Sequence, residues 1–112
     1  MECPRELKEL LDVLYDLSPQ ESDLLNYLCR EEARIAELSE YTGKDRSTVQ
    51  KYLYSLRDSG LVSRRSVTTD KGKGRYFVYY VKDVNDLKKS VRERLQEWEE
   101  EKIEALEKTL PA

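Results

Sequence analysis

Between Lys44 and Arg75 the chain carries nine cations: Lys44, Arg46, Lys51, Arg57, Arg64, Arg65, Lys71, Lys73 and Arg75. Only three carboxylates, Asp45, Asp58 and Asp70, oppose them, a net of +6. Ser47, Thr48, Gln50 and Tyr54 lie among these cations. Ammonium and guanidinium groups mixed with hydroxyl and amide donors have the chemistry to hold the oxygens of a polyanion. The rest of the chain is acidic. Residues 1–43 carry a net −7 and residues 76–112 a net −2, giving −3 for all 112 residues. A basic island in an acidic chain marks a docking face for a polyanion, with the acidic remainder orienting the approach.

Other chemistry is poorly supplied. There is no histidine, so no imidazole base or imidazole metal ligand. The two cysteines, Cys3 and Cys29, lie far apart, which argues against a structural zinc site from one chain. They read as two reduced thiols, with a redox-sensing pair as the alternative. The Gly72–Gly74 stretch "GKG" sits between two extended runs, not between a strand and a helix, so its glycines serve turn geometry and not a phosphate-cradling loop. No enzyme activity, metal or cofactor is expected.

The elements that position the island follow from periodicity and punctuation. Leu7, Leu10, Leu11 and Leu14 form a helical stripe after Pro4. Ser18, Pro19 and Glu21 have the spacing of a capping box opening a second helix, to about Arg30, that buries Leu24, Leu25, Leu28 and Cys29. A short extended segment at Ala33–Ile35 leads into a short helix burying Ile35 and Leu38, closed by Gly43. Asp45 then caps a helix from Arg46 to about Ser59. Its inner face is Val49, Leu53 and Leu56, and its outer face is Arg46, Ser47, Gln50, Lys51, Tyr54 and Arg57. Gly60 ends it, and "LVSRRSV" and "RYFVYYV" flank the turn-forming "TTDKGKG", a β-hairpin with a basic tip.

From Asp83 a long helix follows, with Leu87, Val91, Leu95, Trp98, Ile103 and Leu106 on a narrow seam in a charged sequence. A helix of roughly 25 residues is about 40 Å long, more than a small domain covers. The seam therefore predicts pairing with a second copy, with the N-terminal helix as a further contributor; the alternative is a helix folded back over its own domain. The expected architecture is mainly α with a small β-hairpin. Residues 1–82 would form a winged helix-turn-helix and residues 83–112 an amphipathic, coiled-coil-like dimerisation helix.

In such a layout the helix after the turn enters the DNA major groove and the hairpin follows the backbone or adjacent minor groove. Lys44, Ser47, Thr48, Lys71, Lys73 and Arg75 are suited to phosphates, and Arg46, Gln50 and Lys51 to base edges. Tyr54 either meets a sugar or phosphate or packs at the core's edge.

The run "IAELSEYTGKDRSTVQKYLYSLRDSGLVSRR" resembles the DNA-binding domain of archaeal and bacterial winged-helix transcription regulators. It is most similar to the TrmB-like group and, more loosely, to the MarR and ArsR groups. The pieces that carry the likeness are Ile35–Gly43, "STVQKYLYSL", "GLVSRR" and "GKGRYFVYYV", within roughly residues 18–95. The resemblance implies a transcription regulator with Ser47, Thr48, Gln50, Lys51 and Tyr54 at the DNA surface and Arg64, Arg65, Lys73 and Arg75 in the wing. The sugar-binding domain of TrmB-like chains is not implied for a chain that stops after its long helix, and ArsR-type metal sensing is disfavoured by the missing histidines.

A homodimeric, sequence-specific double-stranded DNA binder is thus the expectation. The alternative is a winged-helix module for protein contact in a transcription or RNA-processing assembly. No apolar run approaches the roughly 20 residues needed to span a bilayer, and the N-terminal "MECPRELKELL" lacks a signal-peptide core. No membrane partner and a cytoplasmic location are expected.

Overall fold

The computed structural model describes residues 4–70, 72 and 74–110. Cys3, Lys71 and Lys73, singled out above, lie outside the described residues.

Helix α1, Arg5–Leu14, follows Pro4 and buries Leu11 and Leu14. Of its leucine stripe, Leu7 packs on the core's edge while Leu10 stays exposed, so only the C-terminal half of the helix is fully buried at its apolar positions Leu11 and Leu14. Helix α2, Pro19–Arg30, starts with the reciprocal cap: Glu21 N–H donates to Ser18 Oγ at 3.2 Å, and Ser18 N–H to Glu21 Oε1 at 3.1 Å. That satisfies two helix-end donors at once. Leu24, Leu25, Leu28 and Cys29 are all buried, as the spacing predicts.

Strand β1 is only Ala33–Arg34, followed at once by helix α3, Ile35–Thr42. Gly43 then turns the chain at φ 71°, a left-handed conformation that costs glycine little. Helix α4 spans Arg46–Asp58, and Gly60 at φ 81° lets the chain reverse into strand β2, Val62–Thr68. Strand β3, Arg75–Val81, pairs antiparallel with β2, from Val62 opposite Val81 to Thr68 opposite Arg75. On its other edge β3 pairs with β1, Ala33 opposite Tyr79 and Arg34 opposite Val78. The sheet thus has three strands in the order β1-β3-β2: the expected hairpin, and beside it the segment expected to be extended at Ala33–Ile35, of which Ala33–Arg34 is strand. Its pairing with β3 was not predicted, because two residues are too few to show an alternating pattern that points to a partner.

The core gathers Leu11, Leu24, Leu25, Leu28, Leu38, Val49, Leu53, Leu56, Leu61 and Val62 around Ala33 and Tyr79 from the sheet. Helix α5, Val84–Thr109, is capped by Asp83, whose carboxylate accepts from the Asn85 and Asp86 N–H groups. Leu87 was expected on a seam open to a second copy. It is instead 5% exposed and part of this chain's own core, with Val91 packed against that core. Two polar ties fix the same stretch. Tyr15 donates to the Ser90 carbonyl at 3.4 Å, and Arg94 Nε donates to the Leu14 carbonyl at 3.0 Å, the latter satisfying an acceptor at the end of α1. The first turns of α5 are therefore built into the winged domain, and the last ones project. Residues 101–110 are exposed throughout, and the molecule measures 68 × 29 × 24 Å. No helix among the described residues is long and apolar enough to cross a membrane.

Candidate nucleic-acid interface

The inner face of α4 is fully occupied by Val49, Leu53 and Leu56, so the 3.6-residue period leaves one direction for the polar side chains. Arg46, Ser47, Gln50, Lys51 and Tyr54 are exposed, Tyr54 at 67%, while Thr48 and Arg57 are half-buried. The exposure of Tyr54 sets aside its packing at the core's edge. Lys44 is exposed on the turn before the helix. That turn is tied on both sides. Ser39 Oγ donates to the Lys44 carbonyl, Thr42 Oγ1 donates to the Leu38 carbonyl at 2.9 Å, and Lys44 N–H donates to Thr42 Oγ1 at 3.3 Å. Sequence reading missed Ser39 and Thr42; Thr42 adjoins Gly43 and Ser39 lies one helical turn before it, so Gly43 was the local signal.

Asp45 opens α4 by accepting from Thr48 N–H at 2.8 Å and from Ser47 Oγ at 3.2 Å. The hydrogen bonds with Thr48, then that from Ser47 and the nearby Lys51 charge, hold the carboxyl below the ordinary aspartate range. Ser47 and Thr48, assigned above to phosphates, are thus also structural members of the cap.

Strand alternation divides the wing's two adjacent arginines. Arg64 lies opposite Tyr79 and Arg65 opposite Val78, so they occupy opposite faces of the sheet. Arg64 shares a cleft of about 470 Å³ with Tyr54, Arg57, Asp58, Val62 and Ser63, between α4 and β2. Its guanidinium stacks 3.8 Å from the Phe77 ring centroid. Arg65 is held by Glu32, with Nη1 donating to Oε2 at 2.8 Å, and lies 5.6 Å from the Tyr80 ring. That hydrogen bond keeps Glu32 below the usual carboxylate range. Arg65, expected beside Arg64 at the DNA surface, is already engaged on the other face. Arg34 stacks there too, 3.9 Å from the Tyr76 ring. Sequence reading passed over it because its partner is visible only once β1 is placed against β3. Arg75 is exposed at the tip end of β3, opposite Thr68.

The excess of cations over carboxylates separates this face from the others, and its cations are not neutralised by close pairing. Among the described residues, the ion pairs involve Arg5, Arg65, Arg94 and Lys108, and none involves Lys44, Arg46, Lys51, Arg57, Arg64 or Arg75. Unpaired cations on one side of a molecule raise the potential that an incoming anion meets. No group of three or more potential metal ligands is placed together among the described residues. A further groove of about 340 Å³, apolar in lining, runs between α1 and α5 along Leu7, Val84, Leu87, Val91 and Leu95.

Helix–turn–helix, wing and three-stranded sheet together define a winged helix-turn-helix protein. Residues 15–71 match the MarR family, and the chain belongs to this family of winged-helix transcription regulators. The match falls on the looser of the resemblances read from the sequence. An uncharacterised Methanocaldococcus jannaschii protein, MJ1503, is 35% identical over 66 residues, 59% of this chain and 49% of that one. The chain spans about half the length of the curated relatives it matches. Among solved structures, a "possible transcriptional regulator" from Methanosarcina mazei Go1 superposes with a TM-score of 0.72 at 17% identity, over 91% of this chain and 87% of that one. The ST1889 protein of Sulfolobus tokodaii gives 0.66 at 15% identity, over 84% and 92%. At these identities the likeness is one of fold.

Proposed function

We propose that the chain is a sequence-specific, double-stranded DNA-binding regulator acting as a homodimer. Helix α4 lies in the major groove, and the wing contacts the backbone or the adjacent minor groove. The observation that carries this reading is the outer face of α4: Arg46, Gln50, Lys51 and Tyr54 project together from a helix locked to the core, with no carboxylate paired to the cations among the described residues. Arg46, Gln50 and Lys51 supply the donors and acceptors that distinguish base edges in the major groove. Lys44, Arg75 and, outside the described residues, Lys71 and Lys73 supply phosphate contacts, which fix register without reading sequence.

The homodimer reading draws on the projecting part of α5. Leu95, Ile103 and Leu106 are exposed, and Trp98 is half-buried beside Lys102, on a helix that the domain covers only in its first turns. Residues 83–112 serve as the dimerisation element and residues 1–82 as the DNA-binding unit, Leu87 and Val91 joining the two. Pairing through α5 places two copies of α4 in successive major grooves about 34 Å apart, so the operator is an approximate inverted repeat.

Selection from random duplexes at fixed salt tests the reading. The wild-type chain enriches an inverted repeat. Arg46→Ala or Gln50→Ala relaxes base preference at defined positions. Lys73→Ala weakens binding to all sequences alike and flattens the log–log salt dependence by about 0.9. A wild-type chain that enriches nothing and passes through heparin at moderate salt overturns the DNA reading in favour of a protein-contact module. Light scattering that returns a monomer at micromolar concentration overturns the dimer.

A further inference from the structure

We infer that the cleft between the end of α4 and the start of β2 seats one backbone phosphate of the duplex, and that Phe77 positions the arginine that grips it. The inference rests on the DNA-binding reading and names the part of that surface that fixes register.

The lining brings together the donors that a phosphodiester accepts from: Arg57 and Arg64 with their guanidiniums and Tyr54 with its phenol. Among the described residues neither guanidinium has a carboxylate within ion-pair distance, whereas the adjacent Arg65 is held by Glu32. Two cations facing one open cleft repel each other until an anion lies between them. Asp58 also lines the cleft and works in the opposite sense, cancelling part of the positive charge.

Phe77 has no evident place in the core. It is 42% exposed, while the next residue on the same face of β3, Tyr79, is buried. What Phe77 does touch is Arg64, its diagonal neighbour on β2, given that Ser66 lies opposite Phe77 and Arg64 opposite Tyr79. Stacking occupies the face of a guanidinium and leaves its N–H edge free to donate. A long side chain that would otherwise sample many rotamers is thereby held before it meets DNA. Phe77 is a positioning residue, acting through Arg64.

The test measures anisotropy of a fluorescein-labelled duplex of about 30 base pairs, long enough for two half-sites one helical turn apart. The duplex is taken from the selection above and titrated with the full chain at several salt concentrations. Arg64→Ala lowers the log–log slope by about 0.9, one phosphate contact. Phe77→Leu, which keeps apolar bulk and changes no charge, lowers it in the same direction, while Phe77→Tyr keeps the wild-type slope. Arg64→Ala combined with Phe77→Leu falls no further than Arg64→Ala alone. Asp58→Asn binds more tightly than wild type. A thermal midpoint for Phe77→Leu equal to that of wild type shows that its slope change is not a folding defect. If Phe77→Leu keeps the wild-type slope, or if its effect adds to that of Arg64→Ala, the seat is overturned while the DNA reading stands. A wild-type chain that binds no duplex overturns both.

Discussion

Arg64 and Arg65 are neighbours in sequence and opposites in setting. A strand turns successive side chains to opposite faces, so one arginine joins Tyr54 and Arg57 in the cleft and the other meets Glu32. The sequence showed the alternation, but Glu32 lies 33 positions away and enters only through the β1–β3 pairing, so the engagement of Arg65 was not legible. Asp45, by contrast, was readable as a cap from its position alone, and its hydrogen bonds give it a titration signature. Because its folded-state pKa lies below the unfolded value, its contribution is complete above the ordinary aspartate pKa of about 3.9. The contribution is lost as pH falls through the lowered value. Asp45→Asn keeps a capping oxygen that does not titrate. Acid unfolding followed by circular dichroism should therefore show a shallower loss of stability for the variant across that interval, measured as the difference from wild type because Glu32 and Asp83 shift in the same direction. Identical acid profiles would mean that the carboxylate charge contributes nothing to the cap.

At the scale of elements, most boundaries were written locally. Ser18–Pro19–Glu21, Gly43, Asp45, Gly60 and Asp83 are each punctuation whose physics acts within a few residues, and the structure places each at a helix end or turn. Two features needed the tertiary fold. Strand β1 exists because β3 offers an edge, and α5 divides into a seated part and a projecting part because Leu87 reaches the core that α1 and α2 leave open. Helix α3 is the element on which the surface depends most. It is eight residues long, too short to persist alone, and Leu38, fully buried, is its main anchor. Leu38→Ala should destabilise the fold by about 2–5 kcal/mol in chemical denaturation. A loss below about 1 kcal/mol would show that α3 is held by something other than this side chain.

Over the whole molecule, the charge separation read from the sequence becomes a spatial one. The acidic N-terminal third forms α1, α2 and α3, while Lys44, Arg46, Lys51, Arg57, Arg64 and Arg75, none in an ion pair among the described residues, lie on α4, the turn before it and the hairpin. A polyanion is attracted to one side and repelled from the other, which orients encounter before any base is read. The most direct measurement is the amide spectrum of the isotope-labelled chain, recorded by nuclear magnetic resonance as a selected duplex is added. Perturbed signals concentrated at Ser47, Gln50, Lys51, Tyr54 and Arg64, with those of Asp23, Glu31, Glu37 and Glu40 unmoved, are the predicted result. Perturbation centred on the acidic helices, with the α4 signals unmoved, would contradict it.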